Sequence, residues 1–203
     1  AKRVLEIFKD MSQIPRESGN EKAISDYIVN FAKNLGLEVQ QDELYNVVIK
    51  KPASRGYENR PAVILQGHID MVCVKDHDSN HDFSKDPIAN IIEGEWMHAD
   101  HTTLGADNGI GAAMMLAVIE DDTQQHGPMQ LLFTTNEETG MDGAFAIKEG
   151  QVTGDYLLNL DTEIEHDFTV SCAGGCHIHV SIPLLRENNL QGYDAGLSLA
   201  VTG

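Results

Sequence analysis

Near the amino terminus, apolar residues recur at helical spacing. Val4, Leu5, Ile7, Phe8 and Met11 predict a helix over residues 4–11, which Pro15 cannot prolong far. Ile24, Tyr27, Ile28, Phe31 and Leu35 mark the buried stripe of a second helix from about Asn20 to Leu35. Asn20 is its candidate N-cap and Gly36 its stop. The pattern then shortens. Glu38–Gln41 and Asn46–Lys50 read as strands on either side of a turn at Asp42–Tyr45, and the polar stretch from Pro52 to Pro61 reads as a surface loop. Three continuous apolar runs follow: Ala62–Gln66, Leu131–Thr134 and Tyr156–Leu160, the pattern of strands buried on both faces. Gly109–Glu120, rich in Ala, Met, Leu, Val and Ile, reads as a buried helix between the first two, and Ala144–Glu149 as a short helix before the third. That order predicts a doubly wound α/β layer. Further on, Phe168–Ser171, His177–Ile182 and Ala195–Val201 favour strands, with Ala173-Gly174-Gly175 as a flexible break and candidate domain boundary. Trp96 and Met114-Met115 read as packing residues.

Composition narrows the functional classes. Of 203 residues, 41% are hydrophobic and 23% charged, which suits a folded chain rather than a disordered one. Lys plus Arg is 14 against 32 for Asp plus Glu, a formal net charge of -18. A phosphate backbone is repelled by that balance, so nucleic acid is not an expected partner. Bound cations, in contrast, would neutralise part of the carboxylate excess. There is no long apolar run or signal-peptide core, so no membrane association is expected and a cytoplasmic location is the default. Cys73, Cys172 and Cys176 are too few for a disulfide framework.

Several familiar motifs are missing. The chain has no His-Glu-x-x-His and no Gly-x-Ser-x-Gly. Cys172 and Cys176 are separated by three residues rather than the two of a redox pair, and His177 and His179 fit one face of a strand. Asp76–Asp82 resembles the start of a calcium loop. However, His81 stands where the sharp turn demands Gly and Pro87 where the closing Glu belongs, so an ordered surface loop is expected.

Chemistry gathers where the apolar runs end. Ala62–Gln66 leads into Gly67-His68-Ile69-Asp70, Leu131–Thr134 into Thr135-Asn136-Glu137-Glu138, and Tyr156–Leu160 into Asp161. In a doubly wound sheet, ligands bind beyond the carboxyl ends of the strands. If these three strands are parallel neighbours, His68, Glu137, Glu138 and Asp161 meet in one cleft, and Asp107 enters from the loop before its helix. Asp70 is spaced to support the imidazole of His68 as a metal ligand, although a surface histidine has the same pattern. Asp107, between Gly105 and Gly109, either caps the helix or bridges two cations; the sequence leaves both open. Around a turn, one of Glu137 and Glu138 can bind metal while the other serves as general base, against the plainer reading of two solvated charges. Charge favours a two-metal site. Two Zn²⁺ ions are nearly balanced by Asp107, Glu138, Asp161 and one hydroxide, and zinc accepts such a His/carboxylate mixture.

Taken in order, Gly67-His68-Ile69-Asp70-Met71-Val72, Thr102-Thr103-Leu104-Gly105-Ala106-Asp107-Asn108-Gly109, Thr135-Asn136-Glu137-Glu138-Thr139-Gly140 and Asn159-Leu160-Asp161 closely resemble the motifs of a co-catalytic zinc exopeptidase family. This is the family containing aminoacyl-histidine dipeptidase, with aminoacylases and peptidase T as relatives. His81-Asp82-Phe83-Ser84-Lys85-Asp86-Pro87 and Gly140-Met141-Asp142-Gly143-Ala144-Phe145 place the resemblance nearest the aminoacyl-histidine dipeptidase branch. It implies an α/β/α sandwich with a mostly parallel central sheet, followed by the start of an inserted α+β lid and dimerisation domain. Residues 1–175 would be the first portion of the catalytic domain and 176–203 the beginning of the insertion.

The resemblance further implies two zinc ions, with His68 and Asp161 on one, Glu138 on the other and Asp107 bridging them. Asp70 would support His68, and Glu137 would be the general base acting on a water between the metals. A cis peptide after Asp107 is also implied, which ordinary preferences do not predict, since that form costs about 2.5–4 kcal/mol. The expected substrate is a short peptide, foremost an L-aminoacyl-L-histidine dipeptide, and the expected partner a second copy joined through the lid. A later histidine of the family's second zinc shell has no counterpart here, so little activity is expected of these 203 residues alone. An aminoacylase with the same metal machinery and a metal-free assembly module are the alternatives.

Overall fold

The computed structural model describes residues 1–162, 164, 167–171, 174, 180, 181 and 183. The chain forms two compact units, Ala1–Glu165 and His166–Gly203, and every element below belongs to the first.

The helical spacing at the amino terminus becomes α1 (Lys2–Ser12) and α2 (Lys22–Asn34). Ile7, Phe8, Met11, Ile24, Ile28 and Ala32 are buried along their inner faces. The second helix starts after Glu21 rather than Asn20, and the Glu21 carboxylate is drawn away from capping to accept the amide of Asn136 at 2.9 Å. Gly36 ends it as expected. With φ of +69°, it lets its own amide reach Lys33 O at 3.0 Å and that of Leu37 reach Ala32 O at 3.1 Å.

A five-stranded sheet follows, built from β1 (Glu38–Gln41), β2 (Val47–Lys51), β3 (Val63–His68), β6 (Met129–Thr134) and β7 (Tyr156–Asn159) in the spatial order β1-β2-β6-β3-β7. The pairs β6–β3 and β3–β7 are parallel, whereas β2 runs antiparallel to both β1 and β6. One reversed strand thus interrupts an otherwise co-directional sheet, and the three strands expected to be parallel neighbours are so. Period-two alternation assigns the faces. Val47, Ile49, Leu131 and Phe133 join α1, α2 and the long helix α3 (Ala106–Glu120) in the main core. Val48, Ile64 and Leu132 point the other way into a smaller cluster with Ile147 and Val152. This is an α/β fold with helices flanking a central sheet. Lys51, at the end of β2, is buried and donates to the carbonyls of Ile119 (2.8 Å) and Asp121 (3.2 Å), closing the carboxyl end of α3.

Several expectations need correction. The run Tyr156–Leu160 is not buried on both faces: β7 lies at the sheet edge, and Tyr156, Leu157 and Leu158 are all exposed. The short helix is α4 (Asp142–Phe145), earlier than Ala144–Glu149, because the turn at Met141 (φ 61°) launches it directly. Trp96 is not a packing residue. It is 79% exposed on a hairpin of β4 (Asn90–Glu93) and β5 (Trp96–Ala99) that the hydrophobic pattern alone does not reveal, although Gly94 at its turn is a usable signal. Met115 is buried, but Met114 is partly exposed. Residues 168–171 are not a strand; Phe168 and Val170 are almost wholly exposed, and among the described residues no ladder satisfies their backbone. The readings of Ala173-Gly174-Gly175, Cys172, Cys176, His177–Ile182 and Ala195–Val201 fall largely or wholly outside the described residues. No described helix is long and apolar enough to cross a membrane.

Candidate metal centre

Parallel strands β3, β6 and β7 end on the same side of the sheet, and each is followed by acidic or imidazole groups. His68 is the last residue of β3 and is almost fully buried. Asp70 lies two residues beyond it, and its Oδ1 is 3.1 Å from His68 Nδ1. Asp70 is itself immobilised. It accepts the Ser18 hydroxyl (2.7 Å) and the amides of Glu137 (3.1 Å) and Glu138 (3.2 Å). Burial pushes its carboxyl up, but hydrogen bonds from His68, Ser18 and the Glu137 amide outweigh this and hold it below the ordinary range. One carboxylate therefore aligns both the imidazole and the loop after β6.

That loop is also clamped from behind. Asn46, fully buried at the start of β2, accepts the Thr135 amide at 3.1 Å and donates to Gly143 O at 2.9 Å. Asn46 is in turn gripped by Asp42, which accepts its amide and side-chain nitrogen. The Asn136 backbone turns through φ of +56°, with Glu21 on its amide. Glu137 and Glu138 then project from this turn.

Asp107 does not cap α3. Its Oδ1 is 3.0 Å from His68 Nε2, the Asp107–Asn108 peptide is cis as the resemblance implies, and regular helix begins only beyond Asn108. Asn108 donates to Leu160 O at 2.9 Å and to the Asp161 carboxylate, which aims Asp161 at the same imidazole. Asp161 Oδ1 and Glu137 Oε2 approach His68 Nε2 to 3.8 and 3.9 Å. Ligand atoms of His68, Asp107 and Glu138 all lie within 4.8 Å of one another, the one such metal-sized group among the described residues.

Electrostatics mark this convergence as one of unbalanced negative charge. Burial, then the Asp161 carboxylate, raises the Asp107 pKa against the pull of His68. Burial likewise raises Glu137 and Glu138, opposed by His68 and reinforced by neighbouring carboxylates. Burial alone would lower His68, yet Asp70, Asp161 and Asp107 carry it up to about 9. A divalent cation relieves that crowding. Tetrahedral zinc with bonds near 2.0–2.2 Å needs ligand atoms about 3.4 Å apart. The separations from His68 Nε2 to Asp107 (3.0 Å) and Asp161 (3.8 Å) bracket that value. The donor set fits zinc.

All six residues singled out from sequence, His68, Asp70, Asp107, Glu137, Glu138 and Asp161, meet here. Sequence reasoning missed Ser18 and Asn108, which hold the carboxylates of Asp70 and Asp161, and Glu21 and Asn46, which hold the backbone of the loop after β6. Only Asn108, inside the Leu104–Gly109 motif, carried a local signal.

Residues 64–185 match the model for peptidase family M20/M25/M40. The chain is 46% identical over 189 residues to the cytosol non-specific dipeptidase of Escherichia coli, covering 93% of this chain and 39% of that protein. The structure is similar to that of aminoacylhistidine dipeptidase from Vibrio alginolyticus, with TM-score 0.78 and 48% identity over 80% of this chain and 33% of the other. A tripeptidase from Staphylococcus aureus aligns with TM-score 0.66 and 27% identity, over 79% of this chain and 43% of that one. The chain thus spans well under half the length of these relatives.

Proposed function

The chain belongs to peptidase family M20/M25/M40, and from that premise we propose that the whole protein is a zinc-dependent hydrolase of short peptides. L-aminoacyl-L-histidine dipeptides are the foremost substrates. The convergence of Asp107, Glu137, Glu138 and Asp161 on the imidazole of His68 carries this reading. The names of the relatives, two dipeptidases and a tripeptidase, support a short peptide as substrate. The first of those names also supports a cytoplasmic location.

In this reading His68 and Asp161 would hold one zinc and Glu138 a second, with Asp107 serving both. Bound zinc supplies Lewis acidity, polarising the scissile carbonyl and bringing the pKa of a water to about 7. Asp70, accepting from Nδ1, fixes the His68 tautomer that leaves Nε2 free for a metal. The partly exposed carboxylate of Glu137 takes the proton of the attacking water and delivers it to the departing amine nitrogen. In the metal-free protein burial raises its pKa above the ordinary carboxylate value, which makes the carboxylate a better proton acceptor. Residues 1–175 form the first part of the catalytic domain and 176–203 the start of a lid through which two copies associate.

The test uses full-length protein, stripped of metal and reloaded with zinc, assayed against Xaa-His dipeptides, other dipeptides and N-acyl amino acids. Glu137→Gln is expected to lower kcat by about 10²–10⁴-fold with zinc stoichiometry retained. Replacing Asp107 is expected to reduce both. An unchanged kcat in Glu137→Gln removes Glu137 as the base. Preference for N-acyl amino acids makes the protein an aminoacylase.

A further inference from the structure

Arg16, in the segment joining α1 to α2, is only 2% exposed, and its surroundings are unusual for a buried cation. Nη1 donates to the carbonyls of Ile69 and Asp70, both at 3.2 Å, and Nη2 donates to the carbonyl of Gly105. Its own carbonyl accepts the Met71 amide at 3.2 Å. Among the described residues no carboxylate hydrogen-bonds to the guanidinium, and Nε is buried with no partner. Buried charges ordinarily persist through pairing. This one is held by main-chain oxygens instead. Burial draws its pKa down to about 10, with Asp70 opposing, so it stays cationic at neutral pH.

Those carbonyls belong to two separate segments. Ile69 and Asp70 directly follow His68, and Gly105 precedes Asp107 by two residues. The planar fork of the guanidinium reaches both, which a point-like ammonium cannot do. Glycine at 105 and 109 leaves it room. A Cβ at Gly105, whose φ is +72°, would stand 2.5 Å from Nη2 and 2.7 Å from Met71 Sδ. One at Gly109 would stand 2.7 Å from Nη2 and 2.8 Å from Phe8 Cε2. Both glycines of the Asp107 motif are therefore shaped around a side chain some ninety positions earlier.

Resting on the reading of this cluster as a metal centre, we propose that Arg16 is a positioning residue. It ties the Asp107 loop to the end of β3, so that Asp107 and His68 meet a metal at fixed spacing. The hydrogen bonds of Arg16 go to main-chain carbonyls, so it acts through the backbone that carries both groups. Ser18, two residues on, holds the Asp70 carboxylate, so one short segment secures both sides of the imidazole.

The experiment compares full-length wild type with Arg16→Lys and Arg16→Met. Zinc affinity is read by chelator competition, folding by far-ultraviolet circular dichroism of the metal-free proteins, and catalysis by kcat and KM separately. Both variants are expected to fold yet bind zinc about 10–100-fold more weakly, the usual cost of losing a residue that orients metal ligands. kcat is expected to fall while KM changes less than about twofold, with no rescue by Arg16→Lys. Full rescue by lysine overturns the inference, since charge alone would then suffice. Folded variants with wild-type zinc affinity and kcat also overturn it, as does an Arg16→Lys protein that cannot fold. Wild type that takes up no zinc overturns the functional reading and this inference with it. Wild type that binds zinc while both variants match it overturns the inference alone.

Discussion

The Cys73 thiol donates to Met71 O at 3.6 Å and lies close to charged neighbours of the site. Burial and then the Glu17 charge push its pKa up to about 11, with Arg16 opposing and Asp70 adding to the rise. At neutral pH only about one thiol in ten thousand is then ionised, and the thiolate is the reactive form. Alkylation of Cys73 in the native full-length protein, followed by mass spectrometry of its peptide, is therefore expected to be slow at pH 7.5. It should quicken about tenfold per pH unit toward pH 11. Labelling at pH 7.5 as fast as that of a free cysteine would show a thiol held differently. The same residue scale shows what local sequence can and cannot reveal. His68, Asp107, Glu137, Glu138 and Asp161 stood out because each follows an apolar run or sits in a glycine-flanked turn. Arg16, Ser18, Glu21 and Asn46 gave no such signal. Their partners Gly105, Asp70, Asn136 and Thr135 lie some 50 to 115 positions away, a relation no local pattern encodes.

At the level of elements, hydrophobic runs located β3, β6 and α3 because burial on both faces leaves an unmistakable apolar stretch. The same rule misjudged β7, whose residues are just as apolar but whose place at the sheet edge leaves them exposed. Composition cannot tell an edge from a centre. It also passed over β4 and β5, since a two-stranded hairpin with Trp96 and Ile92 outward buries too little to impose a clear pattern. Lys51 gives the element scale its prediction. This buried ammonium ends β2 and satisfies the carbonyls of Ile119 and Asp121 at the end of α3, which delivers Asp107 from its other end. Lys51→Met keeps the length of the stem but leaves those carbonyls without a donor, a loss of about 1–3 kcal/mol. The thermal-unfolding midpoint of the metal-free full-length protein is expected to fall accordingly, with zinc affinity changed less than about twofold. A midpoint equal to wild type would show that solvent satisfies the carbonyls as well as Lys51 does.

Over the whole molecule, a formal charge of -18 has a structural counterpart, because several of those carboxylates are gathered around one buried imidazole. Like charges brought together oppose folding, and they are reconciled only by protons or cations. The pKa values of Asp107, Glu137 and Glu138 are raised first by burial and then by the neighbouring carboxylates, so both desolvation and like-charge repulsion weigh on the cluster. The fold therefore carries in its metal-free state an electrostatic cost that a bound divalent cation removes. A ligand that binds only the folded state stabilises it by about 2.7 kcal/mol at one hundred times its dissociation constant. Zinc is expected to raise the unfolding midpoint of the full-length protein with the logarithm of its free concentration, and a chelator to reverse the rise. Asp107→Asn separates the two contributions. It removes one of the crowded charges, so the metal-free variant is expected to melt no lower than wild type, while the gain from zinc largely disappears. A variant that kept the full gain would place the cation away from the His68 Nε2–Asp107 contact.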